Sequence, residues 1–453
     1  MSILARKHIN FTSGNIILQL VQFSIPIVLG ELLQNLYSTV DSLFVGNYVG
    51  KTALAAISEC SSISLLLIGF FNGMSAGIIA LVSRAFGKGD REELELTKRI
   101  VLTVSVVIGV SLSILGMIFA RGLIMLTGAE GELFDQALIY LRIYLLGLMF
   151  TVIYNMLSGI LRGIGDSVTP LRILMLSTCI NIGADWAMLS IFNMGIAGAA
   201  WATIFSQGIS VILAYATLRK GDTSFRLSFP ELKPNRGIIK NLFSIGLPSG
   251  LQNSLISISN LFVWRYINSF GVTVSAGVGV GHKLDKFVSM PCKSFGLTMT
   301  GFISQNAGAG NHKRNKEGGI KCFILSVVVT MTLGAIVYMA APFLCGLFND
   351  DTEVISVGVA MMRTIIPTYF LICIRECLLG ILRGYGRTRT PMYISLFGMI
   401  VVRQVYLAIA YATNPVANIL YRCYPVAWTA TSGLLLIYFL VVRKKLHPEA
   451  ETV

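Results

Sequence analysis

Leu33-Gln-Asn-Leu-Tyr-Ser-Thr-Val-Asp-Ser-Leu-Phe-Val45 occurs a second time, altered but in order, as Leu251-Gln-Asn-Ser-Leu-Ile-Ser-Ile-Ser-Asn-Leu-Phe-Val263. Two more segments return at nearly the same distance. Ser83-Arg-Ala-Phe-Gly-Lys-Gly-Asp90 reappears as Ser304-Gln-Asn-Ala-Gly-Ala-Gly-Asn311, and Leu161-Arg-Gly-Ile-Gly-Asp-Ser-Val-Thr-Pro170 as Leu382-Arg-Gly-Tyr-Gly-Arg-Thr-Arg-Thr-Pro391. The offsets are 218, 221 and 221. One spacing kept at three places marks an internal duplication. Acidic stretches recur too, at Glu130, Glu132, Asp135 and at Asp350, Asp351, Glu353.

The duplicated material is strongly apolar. Of 453 residues, 54% are hydrophobic and 13% charged, and the mean hydropathy is +0.73. Soluble domains carry about 25% charge, so a soluble enzyme and a polar disordered chain are both excluded. At about 20 residues per span, the length suits a dozen membrane helices and little else. We read spans at 15–45, 52–82, 96–120, 133–161, 170–192, 195–219, 237–266, 272–305, 319–348, 353–382, 391–413 and 415–442. The runs are long and do not alternate, which implies helices rather than barrel strands.

Charge placement tests this reading. With the N-terminus cytoplasmic, the even loops and both termini hold 25 of the 36 Lys and Arg residues. The odd loops hold Lys51, Arg121, Arg265 and Arg422. That asymmetry obeys the positive-inside rule and puts both termini in the cytoplasm. It also accounts for the net charge of +14 without nucleic acid. Each half has six spans, an even number, so the halves enter the membrane in the same direction. They are expected to be parallel repeats around a central cleft: a lobe over 1–220, a polar linker over 221–236 and a second lobe over 237–453. The start, Met1-Ser-Ile-Leu-Ala-Arg-Lys-His8, does not read as a cleaved signal peptide. The eight cysteines fall mostly in apolar runs and read as buried thiols.

A charge at the bilayer centre costs at least about 2.5–3.5 kcal/mol, so the charges inside spans are informative. The first half holds Glu31, Asp41, Glu59 and Asp185 against Arg142. The second holds Asp285 and Glu376 against Lys283, Lys286, Lys293, Arg363, Arg375 and Arg403. On the first span, Glu31, Gln34, Asn35, Ser38 and Asp41 share one helical face. Pro26, one to two turns earlier, removes a backbone hydrogen bond and is expected to bend that helix. The fifth span places Ser177, Asn181 and Asp185 at i, i+4 and i+8, and the sixth adds Thr203, Ser206 and Gln207. Such oxygen-rich spacing suits a sodium ion or a proton, or else hydrogen-bonded packing between the three spans. By the offsets, Asp41 and Asp185 become Ser259 and Tyr406 in the second half. The eighth span instead carries Lys283, Lys286 and Lys293 near one face, bent by Pro291. Those lysines are open to two readings, a basic wall facing substrate or ion pairs with Asp285 or Glu376.

Enzyme chemistry finds little support. Gly46-Asn-Tyr-Val-Gly-Lys-Thr52 has three residues between its glycines where a phosphate loop needs four, and no strand precedes it. Gly163, Gly165, Gly308 and Gly310 read as helix-end glycines. No catalytic triad or metal-ligand spacing is visible.

The segments quoted above, with Leu54-Ala-Ala-Ile57, Asn181-Ile-Gly-Ala-Asp185 and Gly195-Ile-Ala-Gly-Ala-Ala-Trp-Ala-Thr203, resemble the multidrug and toxic compound extrusion (MATE) family over nearly the whole chain. The resemblance implies twelve helices in two lobes open as a V. It implies export of organic, often cationic, compounds against H+ or Na+ entry, without ATP, nucleic acid or any cofactor beyond the coupling ion. A monomer in the cytoplasmic membrane is expected. The family's coupling site would correspond to Asp41, Asn181, Asp185 and Thr203, with a helix bend at Pro26. Glu31, Gln34, Asn35, Lys283, Asp285, Lys286 and Arg403 are candidates to line the substrate cleft. The basic eighth span departs from a purely cation-binding cleft and leaves open an alternative, a flippase or exporter of an anionic lipid-linked or organic-acid substrate.

Overall fold

The computed structural model describes residues 8–220, 231, 235–413 and 416–446. Among these, every regular element is helical. The first half comprises α1 (Ile16–Tyr48), α2 (Lys51–Lys88), α3 (Arg91–Met125), α4 (Gly131–Leu146), α5 (Leu148–Gly163), α6 (Val168–Trp186) and α7 (Gly195–Arg219). The second comprises α8 (Arg236–Asn268), α9 (Val272–Gly308), α10 (His312–Gly346), α11 (Thr352–Ile365), α12 (Tyr369–Gly384), α13 (Arg389–Leu396), α14 (Arg403–Thr413), α15 (Ala417–Tyr421) and α16 (Cys423–Leu446). Broken pairs account for the surplus over twelve. α4 and α5 form one rod bent by 43° at Gly147. A short 3-10 turn, Ile366–Thr368, containing Pro367, joins α11 to α12. A π-helical turn, Phe397–Val402, joins α13 to α14, and α15 runs on through Arg422 into α16 as one rod. The twelve expected spans thus all appear as helical rods.

Ten of these rods are long and apolar enough to cross a membrane, counting the bent pair as one. The other two are α8 and α9, the most polar. α9 carries Lys283, Asp285, Lys286 and Lys293 along its length.

The repeated motifs build equivalent local structure. Asp90 accepts from Glu93 N (2.9 Å) and caps α3, while its repeat partner Asn311 accepts from Arg314 N (3.2 Å) and caps α10. Gly165 and Gly386, also equivalent, end their helices at φ +87° and +77°, a region open chiefly to glycine. Ser83 Oγ donates to Gly163 O (2.9 Å) as Ser304 Oγ donates to Gly384 O (3.4 Å).

The chain forms two compact units, divided otherwise than the expected lobes. One holds Ile25–Gly250 with the residues before Phe11; the other holds Phe11–Ser24 with Leu251 onward. Most of the expected linker, 221–236, lies outside the described residues. The change of unit falls instead within α1 and α8, each within two residues of a proline, Pro26 or Pro248. α1 is helical from Ile16 to Tyr48 without interruption through Pro26.

Packing explains the exchange. In the first unit, α2 offers Gly73 and Gly77 to the start of α8. A Cβ on Gly77 would come within 2.5 Å of Gly246 Cα, and one on Gly73 would strike Ser249 O. In the second unit, the fully buried Phe11 ring packs edge-on to Phe23 (5.1 Å) and Phe302 (5.4 Å). Its backbone N–H donates to Gln305 Oε1 (2.9 Å), and its carbonyl accepts from Asn306 Nδ2 (3.1 Å) and Arg314 Nε (2.7 Å).

Each unit has its own apolar core. The first centres on residues such as Phe71, Met74, Ile78, Leu141 and Leu157. The second centres on Val278, Val288, Met361, Tyr369 and Trp428. Seven of the eight cysteines are buried, Cys179 being exposed.

Candidate functional site

In the first unit, α1, α6 and α7 bring the predicted acidic residues together. Asp41 is 7% exposed and Asp185 fully buried, and their charges lie within electrostatic reach of each other. Asn181 sits one turn before Asp185 on α6 and is also fully buried. Asp41 Oδ1, both carboxylate oxygens of Asp185 and both amide atoms of Asn181 are buried without a hydrogen-bond partner among the described residues. Gln207 Oε1 and Thr178 Oγ1, on neighbouring stretches of α7 and α6, share that condition. Ionised carboxylates without donors are costly to bury. Asp41, Asn181 and Asp185 thus gather polar atoms that the described residues leave unsatisfied.

Thr203 is held in place from both sides. It donates to Ala199 O (3.1 Å) and accepts from the Tyr37 hydroxyl (3.1 Å). Ser177 Oγ donates to Ser206 O (2.9 Å), locking α6 to α7 beside the acids. Immediately after Asp185, the fifth span winds through a π-helical turn, Ala187–Ile191, a feature frequent at functional positions.

Three tyrosines complete this surround and were not singled out in the sequence. Tyr37 lies four residues before Asp41 and feels the charge of both acids. Tyr140 is within reach of Asp41 and stacks on Tyr144 (6.2 Å between centroids). The spacing of Tyr37 from Asp41 was a usable signal. The two α4 tyrosines lay in an apolar run with nothing local to mark them.

The rest of the polar stripe does not join the acids. Gln34 and Ser38 are exposed on α1. Asn35 Nδ2 donates to Glu31 O on the same helix (2.9 Å). Glu31 lies within electrostatic reach of Arg162 on α5.

The basic set of the second unit is not paired off by acids. Among the described residues, no ion pair joins Lys283, Lys286 or Lys293 to a carboxylate. The Asp285 carboxylate instead accepts from the Tyr369 hydroxyl (2.6 Å), and Glu376 pairs with its neighbour Arg375 (2.6 Å). All three lysines are exposed, and Lys283 lies over the Phe348 ring at 5.0 Å. Arg403, in contrast, is 1% exposed. Its Nη1 donates to Asn260 Oδ1 (2.8 Å).

Comparison with known proteins agrees with this architecture. The MatE family model matches the chain twice, at residues 26–187 and 248–409, one match per repeat. A Bacillus subtilis (strain 168) protein, probable multidrug resistance protein YpnP, is 30% identical over 407 residues, covering 89% of this chain and 90% of its own. Among solved structures, the outward-facing conformation of a multidrug resistance MATE family transporter superposes with a TM-score of 0.90 at 21% identity, over 98% of this chain and 99% of that one. A MOP superfamily transporter from Pyrococcus furiosus, described as having a binding pocket of reverse polarity, also gives 0.90, at 22% identity over 97% and 98%. A twice-matched family model, a relative spanning nearly the whole length and a shared twelve-rod helical fold converge: the chain belongs to the MatE family of multi-pass membrane transporters.

Proposed function

We propose that the chain is a secondary multidrug exporter of the cytoplasmic membrane, with both termini cytoplasmic. It carries small organic, chiefly cationic, compounds out by alternating access, against entry of H+ or Na+. Coupling runs through Asp41, Asn181, Asp185 and Thr203. The observation that carries this reading is the pair of buried acids, Asp41 and Asp185, whose oxygens, like the side-chain amide of Asn181 beside them, find no partner among the described residues. With no donors of their own, the carboxylates attract a cation. An entering ion neutralises them and a departing one restores their charge. That difference lets ion occupancy favour one conformation over another, as population shift requires. The relatives named for multidrug resistance are in keeping with it.

The test is efflux of a fluorescent organic cation from proteoliposomes, first under a pH gradient and then under a sodium gradient. One gradient should drive efflux, and Asp185→Asn should abolish it while the protein stays folded. Retained efflux in both Asp41→Asn and Asp185→Asn would overturn the assignment.

A second reading, export or flipping of an anionic lipid-linked or organic-acid substrate, draws on the exposed lysines Lys283, Lys286 and Lys293, none ion-paired among the described residues. Transport lost in Lys283→Ala but retained in Asp41→Asn would select it over the first.

A further inference from the structure

In the second repeat, where Ser259 and Tyr406 stand in place of the two acids, a cation lies close by: Arg403, three residues before Tyr406. Asn260 follows Ser259, the counterpart of Asp41. Arg403 lies on the eleventh rod, the counterpart of the one that carries Asn181 and Asp185. It follows directly on the π-helical turn Phe397–Val402. Among the described residues, its one side-chain hydrogen bond is that to Asn260, between α14 and α8. Ser259 and Gln404 reinforce that seam: Ser259 Oγ donates to Met399 O (3.3 Å) and Gln404 Nε2 to Ser259 Oγ (3.2 Å).

The guanidinium is nevertheless far from satisfied. It is 1% exposed, and its Nε and Nη2 are buried without a hydrogen-bond partner among the described residues. Among the described residues, no Asp or Glu lies within ion-pair distance of it. The charged or chargeable neighbours in electrostatic reach are Arg375, Cys423, Tyr424 and His282. Arg375 is itself held by Glu376. The nearby Asp285 is engaged by Tyr369. His282 is paired with the Tyr424 hydroxyl (2.9 Å) and flanked by the Trp264 ring (5.4 Å). Removing a cation from water without a counter-charge is among the costliest arrangements a fold can hold. A guanidinium offers two adjacent N–H donors in a fork that fits a carboxylate or binds a halide.

We propose that Arg403, braced by Asn260, is the core of a buried anion site in the second unit. Its ligand is a small monovalent anion, either a free halide or the carboxylate of an organic compound. The site does not depend on how the first unit couples to cations, and its test is a binding test rather than a transport test.

The full chain in nanodiscs of zwitterionic lipid is unfolded by heat, followed by tryptophan fluorescence, at fixed pH and ionic strength. Sodium isethionate is replaced stepwise by sodium chloride or by sodium acetate. The unfolding temperature should rise by several degrees and saturate, because a ligand bound only to the native state stabilises it. Saturation with chloride identifies a free halide as the occupant, and saturation with acetate alone identifies a carboxylate. In Arg403→Gln the rise should vanish, and the variant in isethionate should melt no lower than wild type, since an uncompensated buried charge has been removed. No saturable rise in the wild type with either anion, or an unchanged rise in Arg403→Gln, would overturn the proposal. Should Arg403→Gln fail to fold, Asn260→Ala decides. It keeps the guanidinium but removes its brace, so the rise should need several-fold more anion to saturate; an unchanged saturation midpoint would refute the site.

Discussion

Arg314→Ala isolates the attachment of the N-terminal segment to the second unit. Arg314 Nε donates to Phe11 O (2.7 Å), and Nη2 donates to Gly14 O (2.8 Å) and Gln19 Oε1 (3.1 Å). Hydrogen bonds from a charged donor contribute about 1.5–3 kcal/mol each when fully buried. Arg314 is only partly buried, and Phe11 O keeps a second donor in Asn306. Water therefore replaces much of what is lost, and a net cost of about 2 kcal/mol for local opening is reasonable. At about 1.4 kcal/mol per tenfold, the segment should open roughly 30 times more often. The Phe11 N–H, which donates to Gln305 Oε1, reports this opening directly by hydrogen exchange. Exchange there should speed up by that factor, while amides in the middle of α9 and α10 stay unchanged. Lys313→Ala, next door and exposed, serves as the control and should change nothing. An unaltered Phe11 amide, or an acceleration spread evenly over the second unit, would refute the reasoning.

Two further predictions concern packing. Gly77→Leu places side-chain atoms where Gly246 backbone now lies; it should cost about 1–3 kcal/mol and lower the unfolding temperature, whereas Gly122→Ala, with nothing within 4 Å of the new Cβ, should not. Asp166 is fully buried and accepts from Thr169 N (2.9 Å) and Thr169 Oγ1 (2.6 Å) at the start of α6; Asp166→Ala should cost about 1–2 kcal/mol in denaturant unfolding, and an unchanged midpoint would show that the cap is dispensable.

The helical rods and the acids were legible because both are signals of composition: long apolar runs, and charges where charges are expensive. Asp41 and Asp185 needed only helical spacing to be singled out as candidates. Tyr37 carried the same spacing but looked like one more apolar residue of the span. Tyr140 and Tyr144 became part of the surround only through the packing of α4, which no local pattern encodes. The pairing of Lys283 and Lys286 with Asp285 could have been discounted from spacing alone. Residues one or two apart on a helix do not face each other, and the acid was left free for Tyr369 on another rod. Arg403 was visible as a charge, but its bond to Asn260 depends on the register that the π-helical turn sets between α13 and α14. The exchange of helix starts between the two units left no signal for a related reason. A polar linker is conspicuous in sequence, whereas the glycine contacts of Gly73 and Gly77 with the start of α8 are not.

That exchange of helix starts bears on how such a chain is put together. Each half supplies a leading segment that completes the other's packing: Phe11–Ser24 seated on Phe302, Gln305 and Arg314, and the start of α8 seated on Gly73 and Gly77. A single six-rod half made by itself would leave one seat empty and one segment unhoused, and could fill both only by swapping with a second copy. Fusion of two copies turns that swap between chains into one within a chain, which fixes its stoichiometry and removes its dependence on concentration. It also frees the two halves to diverge there, and they have: Gly73 and Gly77 correspond to Ser294 and Thr298, and Phe302, Gln305 and Asn306 to Leu81, Arg84 and Ala85.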